Sequence, residues 1–280
     1  MKINDITLTL GAKTPFTVYH MSDNHLCRAD ERECDRKRDL AAKRGAAFRN
    51  AEQYTAEMIA EVRAAGCSLV HTGDLADFVS RANYEAVMPL FKGIQCFFAA
   101  GNHEFSQYVG EAWEDEPYKA LSLADAVASF PEGFLFGTHT VNGIRFLTLD
   151  NNYYYVTEAQ FLRFKRTLAD GVPTVLCVHN PLYSEDLYNQ IIARKGADTV
   201  PYLFGCPEEK LRHLTEYRYK QQTPNETTLA FLDFCNHCPN LVAVLAGHLH
   251  DGYISQLDSG IPQIVANGAY RGEMNRYRIQ

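Results

Sequence analysis

The chain alternates between short apolar runs typical of buried strands and longer segments with the spacing of amphipathic helices. Five apolar runs predict buried strands: FTVYHM, SLVH, QCFFAA, TVLCV and LVAVLAG. Further strand-like runs stand near the two ends of the chain: ITLTL, GYISQL and PQIVAN. Segments such as AEQYTAEMIAEVRAAG, with apolar residues at helical spacing, predict helices between the strands. Strands that alternate with helices indicate the α/β class.

Local signals predict a hairpin, a helix start and an insertion in the second half of the chain. Asn142-Gly143 separates the runs FLFGTHTV and IRFLTLD and suits the positive φ angles of a tight turn. Thr157 with Gln160 forms a capping-box pattern ahead of a helix. Regular periodicity is then lost over about residues 181–224, which we interpret as an insertion. The helix TTLAFLDFCN restores the pattern.

Length, composition and charge narrow the class of protein. The 280 residues contain no internal repeat, low-complexity tract or Gly/Ser linker, so we expect one domain over residues 1–280. Hydrophobic residues make up 46% of the chain, which is too apolar for a disordered protein. The formal net charge of −7 disfavours a dedicated nucleic-acid-binding protein.

The sequence favours a cytoplasmic location without membrane contact. No stretch approaches the about 18 apolar residues of a membrane helix, and the first residues lack the apolar core of a signal peptide. The eight cysteines stand in apolar and helical contexts, which favours reduced thiols over disulfides. Cys235 and Cys238 are then free thiols at a helix end, and half of a zinc site is the alternative.

Polar clusters follow five of the predicted strands at their carboxyl ends, where sites form in α/β sheets. These clusters are Asp23-Asn24-His25, Gly73-Asp74, Gly101-Asn102-His103-Glu104, His179 and Gly247-His248-Leu249-His250. Carboxylates, imidazoles and a carboxamide suit Zn, Mn or Fe better than Ca. The clusters hold more such groups than one ion needs. Two divalent or trivalent ions about 3.5 to 4 Å apart, sharing a carboxylate, would use them all.

The order of these clusters resembles the calcineurin-like metallophosphoesterase family, whose signature is DxH, GDxx, GNH[D/E], a lone H and GHxH. All five blocks are present in that order between residues 23 and 250. The resemblance implies a four-layer α/β/β/α sandwich of two mixed β-sheets flanked by helices. The metal centre would lie at the carboxyl ends of the strands.

The resemblance also implies a ligand for each metal position. Its assignments are Asp23, His25 and His250 for the first metal, Asn102, His179 and His248 for the second, and Asp74 as the bridge. An anionic bridge offsets the repulsion between two cations better than a neutral imidazole would. A hydroxide held between the ions would attack phosphorus in line.

Further residues are candidates for roles around the metals. By resemblance, His103 protonates the leaving oxygen or stabilises the charge of the phosphoryl group, and Asp77 orients His103 through its other ring nitrogen. A helix N-cap is the alternative role for Asp77. Asn24 and Arg28 are weaker candidates for substrate binding, and the charged run from Arg28 to Arg44 otherwise predicts a solvated helix face.

Other aromatic side chains near the clusters have structural alternatives. We predict that His20 and His71 are core histidines rather than ligands. Tyr153, Tyr154 and Tyr155 follow a strand and either line the pocket or pack in the interior.

The departures from the family pattern bear on the substrate. Protein phosphatases of the family continue the second block as GDxxDRG, whereas Phe78 and Val79 follow Asp77 here, so the phosphate-binding arginine is absent from that position. The GHLH ending looks more like the bacterial phosphodiesterase and nucleotidase branches. The resemblance therefore implies a metal-dependent phosphodiesterase or phosphatase that acts on a phosphoester or phosphoanhydride of a small molecule.

Two other functions and the role of the insertion stay open at this point. A nuclease of the same chemistry would need a basic groove, and a non-catalytic partner-binding scaffold would retain only the fold. The insertion at about 181–224 is a candidate lid or substrate-specificity element, with a plain surface excursion as the alternative.

Overall fold

The computed structural model describes residues 1–110 and 113–280, and eleven strands and ten α-helices lie within these ranges. The strands are β1 (Lys2–Leu8), β2 (Phe16–Met21), β3 (Ser68–His71), β4 (Cys96–Phe98), β5 (Phe136–Val141), β6 (Ile144–Leu149), β7 (Thr174–Cys177), β8 (Leu241–Ala246), β9 (Tyr253–Gln256), β10 (Pro262–Val265) and β11 (Glu273–Ile279). The helices are α1 (Asp35–Ala47), α2 (Ala51–Ala65), α3 (Arg81–Phe91), α4 (Glu116–Ala120), α5 (Leu123–Ser129), α6 (Glu158–Leu168), α7 (Glu185–Lys195), α8 (Glu208–Leu211), α9 (Glu216–Gln222) and α10 (Glu226–His237).

The strands form two mixed sheets. The first has the order β1-β11-β2-β3-β4, and the second has the order β5-β6-β7-β8-β10-β9. Strands β2, β3 and β4 are mutually parallel in the first sheet, as are β6, β7, β8 and β10 in the second. The carboxyl ends of these parallel strands therefore point to one edge of each sheet.

The strands and helices form a four-layer sandwich, and successive side chains of each central strand point to opposite faces of its sheet. One face of the strands packs between the two sheets and includes Val18, Val70 and Val175. On the opposite face of the first sheet, Leu69 belongs to a cluster with residues of α2, α3 and α5. Leu176 of the second sheet belongs to a cluster with residues of α6, α7 and α10. Both faces of these strands are buried, which explains their continuous apolar runs and confirms the predicted α/β/β/α fold.

Two local predictions are confirmed in detail. Asn142 and Gly143 have φ angles of 48° and 87° and join β5 to β6 in an antiparallel hairpin. Thr157 and Gln160 form a reciprocal capping box at the start of α6. Such signals depend on neighbouring residues only, so they can be found without tertiary information.

The hydrophobic pattern of the sequence predicted the secondary structure of the insertion and of the last strand poorly. The segment at 181–224 contains α7, α8 and α9, although its sequence shows no sustained periodicity. Helices α8 and α9 have 4 and 7 residues, too few to display a helical repeat. The sequence analysis also did not predict β11, which pairs with β1 on one side and with β2 on the other.

The structure also bears on the cysteines and on membrane contact. Within the described ranges, no helix combines the length and the apolarity required to cross a membrane. All eight cysteines are free, and Cys235 and Cys238 are buried at the end of α10. Neither of them belongs to a potential metal-binding group of His, Cys, Asp and Glu side chains found among the described residues.

Two glycines allow the loops after β3 and β4 to touch. Gly73 has a φ of +92°, and a Cβ atom at this position would lie 2.5 Å from the Gly101 Cα atom. A Cβ atom on Gly101 would in turn collide with the backbone nitrogen and the carboxylate of Asp74. Any larger residue at either position must separate the two loops.

We expect Gly73→Ala to lower the free energy of unfolding by about 3 kcal/mol, because it adds left-handed strain and overpacking at one position. Gly66→Ala is the matched control, since Gly66 also has a positive φ (+61°) but open space where the Cβ would lie. We expect this control to lose about 1 kcal/mol. Urea denaturation followed by circular dichroism measures both, and equal losses would contradict the close approach.

Candidate metal centre

The carboxyl ends of five strands deliver the predicted ligands to one place between the two sheets. Asp23 and His25 follow β2, Asp74 follows β3, Asn102 follows β4, His179 follows β7, and His248 and His250 follow β8. Two potential metal-binding groups form among them, namely Asp23, His25, Asp74 and His250, and Asp74, His179 and His248. Within each group the ligand atoms lie within 4.8 Å of one another, and Asp74 belongs to both.

The backbone at these positions is unusual. Five of the seven predicted ligands have a left-handed conformation: Asp23 (φ 57°), His25 (φ 54°), Asp74 (φ 57°), His248 (φ 70°) and His250 (φ 59°). This conformation costs about 1 to 2 kcal/mol for a residue other than glycine. Strained residues of this kind concentrate at functional sites, where the surrounding structure holds them in place.

Close contacts between ring nitrogens and carboxylate oxygens define the two groups. In the first, His250 Nε2 lies 2.9 Å from His25 Nε2 and 3.3 Å from Asp23 Oδ1. In the second, His179 Nε2 lies 3.2 Å from Asp74 Oδ2 and 3.0 Å from His248 Nδ1. Asp74 Oδ2 is also 3.9 Å from His25 Nε2, which links the two groups.

In three of the histidines, the outer ring nitrogen, which is the one that faces away from the other ligands, has a hydrogen-bond partner that orients the ring. These contacts are His25 Nδ1 to the Asp77 carboxylate (2.9 Å), His179 Nδ1 to the Thr72 carbonyl (2.6 Å) and His248 Nε2 to the Tyr154 hydroxyl (2.7 Å). The carbonyl and the carboxylate can only accept, so His25 and His179 donate from Nδ1. In the neutral form of these rings, the Nε2 lone pairs are then directed at the centre of each group, as in metal-ligating histidines.

The donor set fits metal ions. Neutral rings with their protons on the outer nitrogens would place lone pairs opposite each other at 2.9 and 3.0 Å. In addition, Asp23 Oδ1 and Asn102 Oδ1 are buried without a hydrogen-bond partner. Buried acceptors that face one another without donors are unfavourable unless a cation lies between them. Metal ions would satisfy the facing lone pairs and carboxylates and provide a partner for the two orphaned oxygens.

Burial and charge shift the pKa values of Asp74 and His179 in opposite directions. Burial raises the pKa of the Asp74 carboxyl, but the charges of His179 and His103 outweigh burial and bring this pKa well below its usual range. Burial lowers the pKa of His179, yet Asp74 more than compensates and raises it to about 9. A metal ion at His179 Nε2 would therefore displace a proton, which makes metal binding pH-dependent.

His103 lies on the wall of the same centre with a different set of contacts. Its Nδ1 donates to the backbone carbonyl of Asp77 over 2.7 Å, and its Nε2 lies 3.9 Å from Asp74 Oδ2. The ring is 14% exposed, in contrast to the fully buried His25 and His179. A molecule in the adjoining cavity, which His248 and His250 also line, can therefore reach the His103 ring while its Nδ1 proton stays engaged.

Comparison with known proteins assigns the family. Residues 16–252 match the profile of the calcineurin-like phosphoesterase family, and this range includes all seven predicted ligands. The chain belongs to this family. A search of curated proteins finds no match.

Solved structures of similar fold come from several kinds of enzyme. A dimetal phosphatase from Danio rerio is 14% identical, with a TM-score of 0.50 over 91% of this chain and 88% of that one. A phosphopantetheinyl hydrolase from Mycobacterium tuberculosis is 12% identical, with a TM-score of 0.43 over 91% and 90%. A 5'-nucleotidase from Candida albicans is 12% identical, with a TM-score of 0.42 over 96% of this chain and 47% of that one. At these identities the similarity concerns the fold alone.

In this calcineurin-like phosphoesterase, Asp77 contacts His103 differently from the prediction. The backbone carbonyl of Asp77, not its carboxylate, accepts the His103 proton, and the carboxylate Oδ1 is 3.6 Å away from Nδ1. The carboxylate instead accepts from His25 and from Arg44, whose Nε and Nη2 lie at 2.6 and 2.7 Å. The N-cap alternative is wrong, because Ser80 caps α3.

Asn24 and Arg28, the two weaker candidates for substrate binding, do not reach the centre. Asn24 is fully buried, donates to Thr55 Oγ1 over 2.8 Å and accepts from His71 Nε2 over 2.8 Å. Arg28 pairs with Glu52 at the surface, with Nε 2.7 Å from Oε1. Neither residue lines the cavity beside the metal ligands. Asn24 therefore supports the strand behind the ligands, and Arg28 belongs to an exposed ion pair.

The structure places His20 and His71 in the interior of the phosphoesterase. Both are completely buried, and burial lowers the pKa of each to about 3. His71 Nδ1 accepts from the Gly73 backbone N–H over 3.1 Å, so its Nε2 is the donor to Asn24. Neutral, fully hydrogen-bonded rings of this kind stabilise the core beneath the metal centre.

Glu104 connects the loops that carry the ligands. Its buried carboxylate accepts from the backbone N–H groups of Gly101 (2.7 Å), Asp74 (2.8 Å) and Ala76 (3.1 Å). Burial raises the pKa of this carboxyl to about 7. The sequence analysis placed Glu104 in a motif but assigned it no role, because three backbone partners cannot be recognised from residue types.

A cavity of about 320 Å³ adjoins the metal ligands. Asp74, Asn102, His103 and His248 line it on one side. The other side includes residues of the insertion, namely Lys195, Tyr202, Tyr217, Arg218 and Gln221. Tyr153 and Tyr154 also line it, whereas Tyr155 does not. Cavities of this size enclose small organic ligands.

We expect Arg44→Met to lower the free energy of unfolding by about 2 kcal/mol, because the buried Asp77 carboxylate loses both hydrogen bonds from the guanidinium. Arg28→Met is the control in the same charged run. Its ion pair is exposed, so we expect a loss below about 1 kcal/mol. Urea denaturation of both variants provides the comparison. A loss for Arg44→Met no larger than for Arg28→Met would mean that Asp77 does not depend on this guanidinium.

We expect Tyr154→Phe to weaken Mn²⁺ binding about 10-fold, because the His248 ring loses its outer hydrogen bond. Tyr153→Phe removes a neighbouring buried hydroxyl that has no hydrogen-bond partner among the described residues, and we expect it to leave the affinity unchanged. Isothermal titration of metal-stripped protein with Mn²⁺ measures both. Equal affinities in the two variants would exclude a supporting role for the Tyr154 hydroxyl.

Proposed function

We propose that this phosphoesterase hydrolyses a phosphoester or phosphoanhydride bond of a small molecule with the help of two metal ions. The observation that supports this most directly is the position of Asp74, whose carboxylate belongs to both ligand groups. Manganese, iron or zinc would suit the mixture of imidazole, carboxylate and carboxamide groups. When bound, such ions would activate a water molecule and polarise the phosphoryl oxygens.

The protein residues would hold the two ions in position and transfer a proton to the leaving group. Asp23, His25 and His250 would hold one ion, and Asn102, His179 and His248 the other. His103 would donate a proton from Nε2 to the leaving oxygen, because its Nδ1 is engaged with the Asp77 carbonyl at 2.7 Å. Arg44 and Asp77 would keep the His25 ring in place from behind.

The size and charge of the protein support a small substrate. The cavity of about 320 Å³, which residues of the insertion line, has the size of a small-ligand site. The net charge of −7 gives little attraction for nucleic acid. We further propose a cytoplasmic location, in keeping with eight free cysteines.

The test is hydrolysis of p-nitrophenyl phosphate and bis-p-nitrophenyl phosphate by metal-stripped protein reloaded with Mn²⁺, Fe²⁺ or Zn²⁺. We expect metal-dependent turnover, its loss to background in Asp74→Asn, and a fall of about 10²- to 10⁴-fold in His103→Gln with metal binding retained. Arg28→Met, at a residue outside the cavity, serves as a control with normal activity.

Other outcomes would favour the alternatives. Turnover of single-stranded or double-stranded nucleic acid that exceeds turnover of both esters would indicate a nuclease. Absence of turnover with every metal, in protein that binds the metals, would favour a partner-binding scaffold. Equal activity in wild type and Asp74→Asn would contradict the proposed metal centre.

A further inference from the structure

Arg218 introduces a positive charge into the cavity from the side of the insertion. This half-buried residue of α9 lines the same cavity as Asp74 and His103. Lys195 also lines the cavity, but it forms an ion pair with Asp251 at 2.9 Å. The Arg218 guanidinium, by contrast, has no carboxylate of the described residues within salt-bridge distance, and its Nη1 donates to the Gln221 side chain over 2.7 Å. The Glu114 carboxyl, which also lines the cavity, interacts with Arg218 electrostatically.

A chain of hydrogen bonds holds this guanidinium in position. Gln221 accepts from Arg218 through Oε1 and donates through Nε2 to Glu114 Oε2 over 3.0 Å. Glu114 Oε1 in turn accepts from the Ser106 hydroxyl over 3.4 Å. Ser106 follows directly after the short helical turn His103–Phe105. The orientation of Arg218 is therefore linked to the loop that carries His103.

Aromatic rings complete the surroundings of Arg218. Its guanidinium carbon lies 5.3 Å from the centre of the Tyr202 ring and 5.2 Å from that of Tyr217. These contacts restrict the side chain and remove part of its hydration. A partly desolvated guanidinium with free donors binds oxyanions well, because its fork of N–H groups matches two oxygens at once.

We propose that Arg218 binds a terminal oxygen of the substrate's phosphoryl group and that this substrate is a phosphate monoester. The inference rests on the proposed function. A monoester carries up to two negative charges and three terminal oxygens, whereas a diester carries one charge and two such oxygens. An additional cation facing the metal ligands therefore stabilises the bound monoester more than the diester. Phe78, which is fully buried, stands beside Asp77, so that loop position provides no cation for this purpose.

The first test measures binding of inorganic phosphate to Mn²⁺-loaded protein by isothermal titration, without turnover. We expect Arg218→Met to weaken phosphate binding about 10- to 100-fold, the loss typical of a charged hydrogen bond. Arg212→Met is the matched control, since Arg212 belongs to the same insertion and its side chain is 70% exposed. Equal phosphate affinity in Arg218→Met and wild type would overturn the proposal.

The second test compares the two aryl esters. In Arg218→Met we expect kcat/KM for p-nitrophenyl phosphate to fall at least about 10-fold, mainly through KM, and kcat/KM for the diester to fall less than about 3-fold. Arg218→Lys should recover part of the loss, because lysine retains the charge but not the paired donors. Equal losses on both esters, or a wild-type preference for the diester, would overturn the proposal.

The two proposals can fail separately. Arg218-dependent phosphate binding in a protein that hydrolyses neither ester would contradict the proposed function and support an anion site at Arg218. Metal-dependent hydrolysis with unchanged phosphate binding in Arg218→Met would support the proposed function and overturn the role of Arg218. Gln221→Ala adds a check on positioning, with an expected rise in KM smaller than that of Arg218→Met and an unchanged melting temperature.

Discussion

The buried carboxylate of Asp74 is the constraint on which the rest of this centre depends. An ionised carboxylate without partners would cost several kcal/mol in such an environment, so the protein must surround it with positive charge and donors. His179 lies 3.2 Å from it on one side, His25 lies 3.9 Å away on another, and the His103 backbone N–H donates to it over 2.9 Å. Two of the three potential metal-binding groups among the described residues include this one side chain.

Holding Asp74 in this position determines much of the surrounding structure. Its left-handed backbone is stabilised by the Glu104 carboxylate, which also accepts from Gly101 on the neighbouring loop. The loops can meet only because Gly73 and Gly101 have no side chains. The left-handed backbone of Asp74 and the close approach of the two loops therefore belong to one arrangement. This arrangement lowers the stability of the backbone and fixes the geometry of the ligands.

The cavity lies between the strand ends that carry the ligands and the insertion at 181–224. Strand ends from the two sheets form the side that carries the ligands, and the insertion forms the opposite side. Because the insertion is helical and connected to the His103 loop through Gln221 and Glu114, its residues approach the centre in a defined orientation. In the function proposed above, the strand ends would supply the chemistry, and the insertion would select the molecule that enters the cavity.

The fold class, the position of the polar blocks at the ends of predicted strands and, through the family resemblance, the residues that meet at the centre could all be predicted from the sequence. Buried strands and ordered polar blocks are local patterns, so Asp23 and His250 could be grouped although they are far apart in the chain. The hydrogen-bond partners that hold these residues in place could be identified only from the three-dimensional structure. Arg44 reaches Asp77 across the fold, and the Asp77 carbonyl rather than its carboxylate meets His103, because hydrogen-bond partners depend on distances between elements that no local pattern contains.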